Sequence, residues 1–109
     1  MIMIEGGDNY LSVEDNANAE IAQSYKLFQN YPNPFNPSTN ISYQLPESVF
    51  VTLKVYDVLG KEVKILVNER QNAGNHSVRF NASDLPNGVY FYKIEAGTYR
   101  STKKFLLVK

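Results

Sequence analysis

The sequence predicts a small antiparallel β-sandwich of about seven strands. Short runs in which apolar and polar residues alternate recur along the chain, the period of half-buried strands. Turn-forming residues separate these runs at intervals of about 8 to 12 residues. No stretch keeps the helical spacing of apolar residues long enough to place a helix between them.

The elements follow in order. "QNYPNPFNPST", at residues 29–39, holds three prolines. Each proline sets its own φ near −65° and drives the residue before it into extended geometry, without offering an N–H to a ladder. Such a segment belongs at an edge or across one end of a sandwich, where Phe28, Tyr31 and Phe35 can plug the core and asparagine side chains can satisfy loose backbone groups. "NISYQL" then places Ile41, Tyr43 and Leu45 on one face, with Ser42 and Gln44 on the other. After the turn "PES", "VFVTLKVYD" puts Val49, Val51, Leu53 and Val55 inward. "DVLGKE" reverses the chain, with Gly60 able to take positive φ. "EVKILVNE" is expected to bury Val63, Ile65 and Val67. "QNAGNH" turns again and "HSVRF" adds a short strand through Val78 and Phe80. "NASDLPNG" reads as a turn, and "VYFYKIEA" is the run richest in β-formers. "EAGTY" has the length of a tight hairpin. "YRSTKKFLLVK" is polar in its first half and apolar in its second, so its far end is the buried part.

At 109 residues the chain has room for one domain of roughly 100 to 150 residues. Charge divides it. Residues 1–25 carry Glu5, Asp8, Glu14, Asp15 and Glu20 and no Lys or Arg, whereas the remainder holds all 11 basic residues against six acids. The acidic, weakly apolar residues 1–26 read as a flexible linker to a larger parent, and residues 27–109 as the folded domain. An edge strand from "MIMI" or "YLSV" is the alternative for the leader. There is no cysteine, so stability rests on packing and hydrogen bonds. No apolar run of about 18 residues is present to span a membrane, and "MIMIEGGDNY" lacks the pattern of a secretory signal.

Catalytic and metal chemistry find little support. His76, the one histidine, sits in a turn beside Gly74 and Asn75, and its grouping with Ser77 and Asp84 has no spacing that marks a triad. Asp57, Glu62, Glu69, Asp84 and Glu95 are scattered. Asn33, Asn36, Asp57 and Asp84 lie in loops that could hold calcium, but turn formation accounts for them, and no cofactor is expected. "NIS", "NHS" and "NAS" match the glycosylation pattern. The basic residues are dispersed rather than gathered into a face for nucleic acid. Of the eight tyrosines, Tyr43, Tyr90 and Tyr92 read as strand-packing residues. Tyr10, Tyr56 and Tyr99 are left for a carbohydrate surface.

Taken together, "NYPNPFNPSTNISYQLP", "VTLKVYDVLGKEV", "AGNHSVRF", "LPNGVYFYKIEAG" and "TKKFLLVK" closely resemble the type A C-terminal sorting domain of the type IX (Por) secretion system over residues 27–109. The wording "NPFNPST" and "YDVLG" is similar also to the immunoglobulin-like module of flagellar hook-capping proteins. The resemblance implies an immunoglobulin-like β-sandwich without catalytic activity, carried at the C-terminus of exported cargo. It also implies passage through the periplasm, recognition by an outer-membrane translocon, and processing by a cell-surface sortase, which leaves the cargo on the cell surface or in the medium. The family's proline, glycine and tyrosine motif falls on Pro86, Gly88 and Tyr90. Its basic and apolar tail falls on Lys103, Lys104, Phe105, Leu106, Leu107, Val108 and Lys109. Where the family often has two valines after the tyrosine, this chain has Phe91 and Tyr92. The last strand could also add to a partner's sheet through its edge. The alternative function is an accessory module that binds carbohydrate or a neighbouring domain of a secreted enzyme, and a third is a scaffold that stabilises its parent.

Overall fold

Seven strands account for the regular structure of residues 24–109, which are the residues the computed structural model describes. They are β1 (Lys26–Leu27), β2 (Ser38–Leu45), β3 (Val49–Tyr56), β4 (Glu62–Gln71), β5 (Gly74–Asn81), β6 (Gly88–Ala96) and β7 (Tyr99–Leu107). They form two sheets, ordered β1-β2-β5 and β4-β3-β6-β7, and every strand pair is antiparallel. Chain order and sheet order differ because β2–β3, β4–β5 and β5–β6 cross between sheets, while β3–β4 and β6–β7 are hairpins. This is the Greek-key wiring of an immunoglobulin-like sandwich. The alternative strand for the leader, and Tyr10, lie outside the described residues.

Alternation decides which faces meet. Ile41, Tyr43 and Leu45 on β2 and Val51, Leu53 and Val55 on β3 are buried between the sheets, as their spacing predicts, and Tyr90, Tyr92, Ile94 and Ala96 on β6 are buried with them. Phe105 and Leu107 are the buried part of β7, which agrees with the polar-then-apolar reading of that strand. The turn after β3 is built on Asp57, whose Oδ1 accepts the N–H groups of Leu59 and Lys61, both at 2.9 Å. Gly60 takes φ +84° there, a conformation costly for other residues.

Expectations about three side chains are corrected. Ile65 is 52% exposed. The register of β3 with β4 shifts between Leu53 and Lys54 and again between Val55 and Tyr56, which leaves Leu66 and Val63 as extra residues in bulges. A bulge resets the alternation, so Ile65 lies opposite the outward-facing Lys54, while Val67 keeps the core position. In the proline-rich segment Phe35 does plug the core, but Phe28 and Tyr31 are 39% and 79% exposed. Leu27 takes the inward site of β1, so its neighbour Phe28 must face out. Tyr31 pairs with the exposed Asn40, and opposed residues share a face.

Candidate functional site

The residues singled out by the sequence converge on one end of the sandwich. The corner between β5 and β6 carries the first group. The Tyr90 hydroxyl donates to the Pro86 carbonyl at 2.6 Å, the tyrosine-corner bond by which such sandwiches anchor the start of this strand. Burial of Tyr90, with the Asp57 carboxylate as a lesser influence, raises its phenol above the ordinary value of 10.0. Gly88 opens β6 at φ +151° and lies opposite Leu107. Pro86 is exposed, but it meets Tyr90 through its carbonyl rather than its ring.

The tail docks on that corner. The Lys109 backbone N–H donates to Asn87 Oδ1 and its Nζ to the Ser83 carbonyl, both at 3.0 Å. Phe105 is the hub beneath, with ring centroids 5.4 Å from Tyr90, 4.9 Å from Phe35, 5.8 Å from Phe80 and 6.0 Å from Tyr92. Strand alternation splits the tail into two faces. Phe105 and Leu107 fill the core; Lys104, Leu106, Val108 and Lys109 are exposed, and Lys103 is half-buried.

The proline-rich segment closes the same end from the side. Its Tyr31–Pro32, Asn33–Pro34 and Asn36–Pro37 bonds are cis. It leaves β2 after the Tyr31–Asn40 bridge and pairs in parallel with β7 at Phe35 and Leu107. Phe35 N–H donates to the Leu106 carbonyl and Val108 N–H to the Phe35 carbonyl, both at 3.1 Å. Asn33 Oδ1 accepts the Leu106 N–H at 3.0 Å. A groove of about 190 Å³ follows, lined by Asn33, Val89, Lys104, Phe105 and Leu106. Asn33 satisfies a backbone group, as the asparagines of this segment are expected to, whereas Ser83 and Asn87 are not legible as parts of this site. Each acts through one long-range hydrogen bond that no local pattern encodes.

Asn30 completes the support. It is buried, and its Nδ2 donates to Thr39 Oγ1 and the Pro32 carbonyl, both at 3.1 Å. Its backbone N–H reaches the Tyr92 hydroxyl at 2.8 Å, and that hydroxyl donates to the Phe28 carbonyl at 2.7 Å.

The residues weighed for other chemistry are engaged elsewhere. His76 stacks on Tyr43 and its Nε2 lies 2.8 Å from the Asn72 carbonyl, while Asp84 pairs with Lys64 at 3.3 Å. Tyr99 stacks on Tyr25 at 5.1 Å and is half-buried against the core. Tyr56 lies on the outer face with Lys93 Nζ 5.8 Å from its centroid. Among the described residues no three His, Cys, Asp or Glu side chains gather where they could hold a metal ion, and no helix is long and apolar enough to cross a membrane.

Comparison with curated proteins finds no match. Residues 29–109, which hold the proline-rich segment, the tyrosine corner and the docked tail, match the family model described as the secretion system C-terminal sorting domain. The chain therefore belongs to the family of type IX secretion C-terminal sorting domains.

Proposed function

We propose that this domain is a non-catalytic address that directs a larger upstream cargo through the type IX system to the cell surface or medium. The observation that carries the reading is the family match across residues 29–109. The geometry supports it, because the tail serves packing and display at once. Phe105 and Leu107 hold the strand in the core, which leaves Lys104, Leu106, Val108 and Lys109 on an ordered exterior. A machine that handles unrelated cargoes has only the shared module to grip, and a rigid patch is gripped at lower entropic cost than a loose tail. Pro86, Gly88 and Tyr90 would act by anchoring the surface on which Lys109 rests. Passage runs through the periplasm to an outer-membrane translocon. A sortase would cut upstream of Tyr25, because from that residue on the chain is held by the Tyr25–Tyr99 stack and by β1.

The test is a secreted reporter fused to the full chain in a bacterium that carries a type IX system. Leu106→Asp with Val108→Asp alters only outward side chains. Export should fall while the purified domain keeps its melting temperature. Undiminished export of a folded double variant would show that the tail surface is not what the machine reads.

A further inference from the structure

Main-chain bonding divides the outer side of β7 into two unequal parts. β7 is the last strand of its sheet, and its register with β6 runs without a bulge from Tyr99 to Leu107. Backbone groups of successive residues therefore point alternately toward β6 and away from it. Arg100, Thr102, Lys104 and Leu106 are the outward set. Over the tail these groups are occupied: Lys104 C=O accepts from Gln29 Nε2 at 2.8 Å, and Leu106 is bonded through N–H and C=O to Asn33 and Phe35. Upstream, the N–H and C=O of Arg100 and Thr102 and the N–H of Lys104 have no partner among the described residues.

We propose that Arg100–Lys104 is a docking line on which an acidic, extended segment of a partner protein adds as a further strand. The inference rests on the sorting reading, with the partner belonging to the export machinery, and it names the part of the strand whose main-chain groups have no described partner, with β1 beside it between the Tyr25–Tyr99 stack and the Gln29–Lys104 bond. Five outward main-chain groups lie along roughly 14 Å of strand, enough for a short β-augmentation. Charge selects the occupant. Arg100 and Lys104 are exposed and Lys103 is half-buried, and the one carboxylate paired with them among the described residues is Glu95, at 3.4 Å from Arg100. A second copy presenting the same edge would oppose these cations to one another, which destabilises a ladder; a strand with carboxylates at alternate positions would neutralise them. The outer edge of β4 is less suited, because its two bulges interrupt a flat ladder.

Thr102→Pro removes one outward N–H and no bond to β6, a place where an edge strand tolerates proline. In the reporter fusion it should leave the fold intact and reduce export about tenfold, the effect of losing one interfacial main-chain hydrogen bond. Arg100→Glu with Lys104→Glu should reduce export at least as much, and it decides the matter if the proline variant does not fold. Wild-type export by folded variants overturns this inference alone. An unaltered domain that fails to carry the reporter out overturns the sorting reading and this inference with it. Amide hydrogen exchange adds a second readout: fast exchange at Arg100 and Thr102, with or without residues 1–23, supports an edge open to a partner. Protection that disappears when residues 1–23 are removed would assign the edge to the chain's own acidic leader and overturn the partner.

Discussion

Tyr92 shows how one side chain ties the proline-rich segment to the core. Its ring is buried, and its hydroxyl serves the Phe28 carbonyl and the Asn30 N–H together. Burial pushes its phenol up to about 12, with the hydrogen bond from Asn30 offsetting part of the rise. The neutral phenol is therefore the form that folding favours, so its contribution is complete below the ordinary value of 10.0 and is lost as pH rises from there toward about 12. Tyr43, also raised mainly by burial, adds in the same direction. The thermal midpoint should hold steady up to mildly alkaline pH and then fall steeply. Tyr92→Phe should flatten that fall and cost about 1 to 3 kcal/mol near neutrality, because it leaves the buried Asn30 N–H and the partly buried Phe28 carbonyl unpaired. A pH series of melting curves for both proteins checks this.

At the scale of the element, β4 separates pattern from outcome. Its residues read as a strand, and a strand forms, but the bulges at Val63 and Leu66 turn Ile65 outward and keep Val67 inward. Ile65→Lys should therefore change stability by no more than about 0.5 kcal/mol. Val67→Ala, which removes two buried methyl groups, should cost about 1 to 2 kcal/mol. Urea midpoints of the two variants measure the difference, and the reverse order would mean that the strand keeps unbroken alternation. β7 has no bulge, so its alternation is unbroken: Phe105 and Leu107 fall inward, while Leu106 and Val108 of the same apolar stretch stay exposed.

For the whole molecule, the tail is structural as well as displayed. Phe105 packs against rings from the proline-rich segment, β5 and β6, so Phe105→Ala should cost about 3 to 5 kcal/mol. Deleting residues 103–109 removes Leu107 too and strips the partner from the first half of β6. That loss approaches the total stability of a small domain, about 5 to 15 kcal/mol. The truncated protein should lack a cooperative melt by circular dichroism. Loss of export on such a deletion would thus report unfolding, and point changes on the outward face separate the address from the fold.

The amino-acid order alone determined the fold class, the succession of strands from Ile41 to Leu107, the inward residues of β2 and β3, the packing role of Tyr90 and Tyr92, and the family. These follow from a period of two and from local turn chemistry, which act between neighbours in the chain. Tertiary structure decided the rest. Ile65 was turned by the pairing of β4 with β3 rather than by its own spacing. Asn33, Ser83 and Asn87 joined the site through single bonds to β7 and the tail, 22 to 73 residues away along the chain. It also decided that Phe35 and Asn33 bond the far half of β7 and leave the main-chain groups of Arg100 and Thr102 without a hydrogen-bond partner among the described residues, because hydrogen-bond capacity along a sheet edge is set by what crosses it in space.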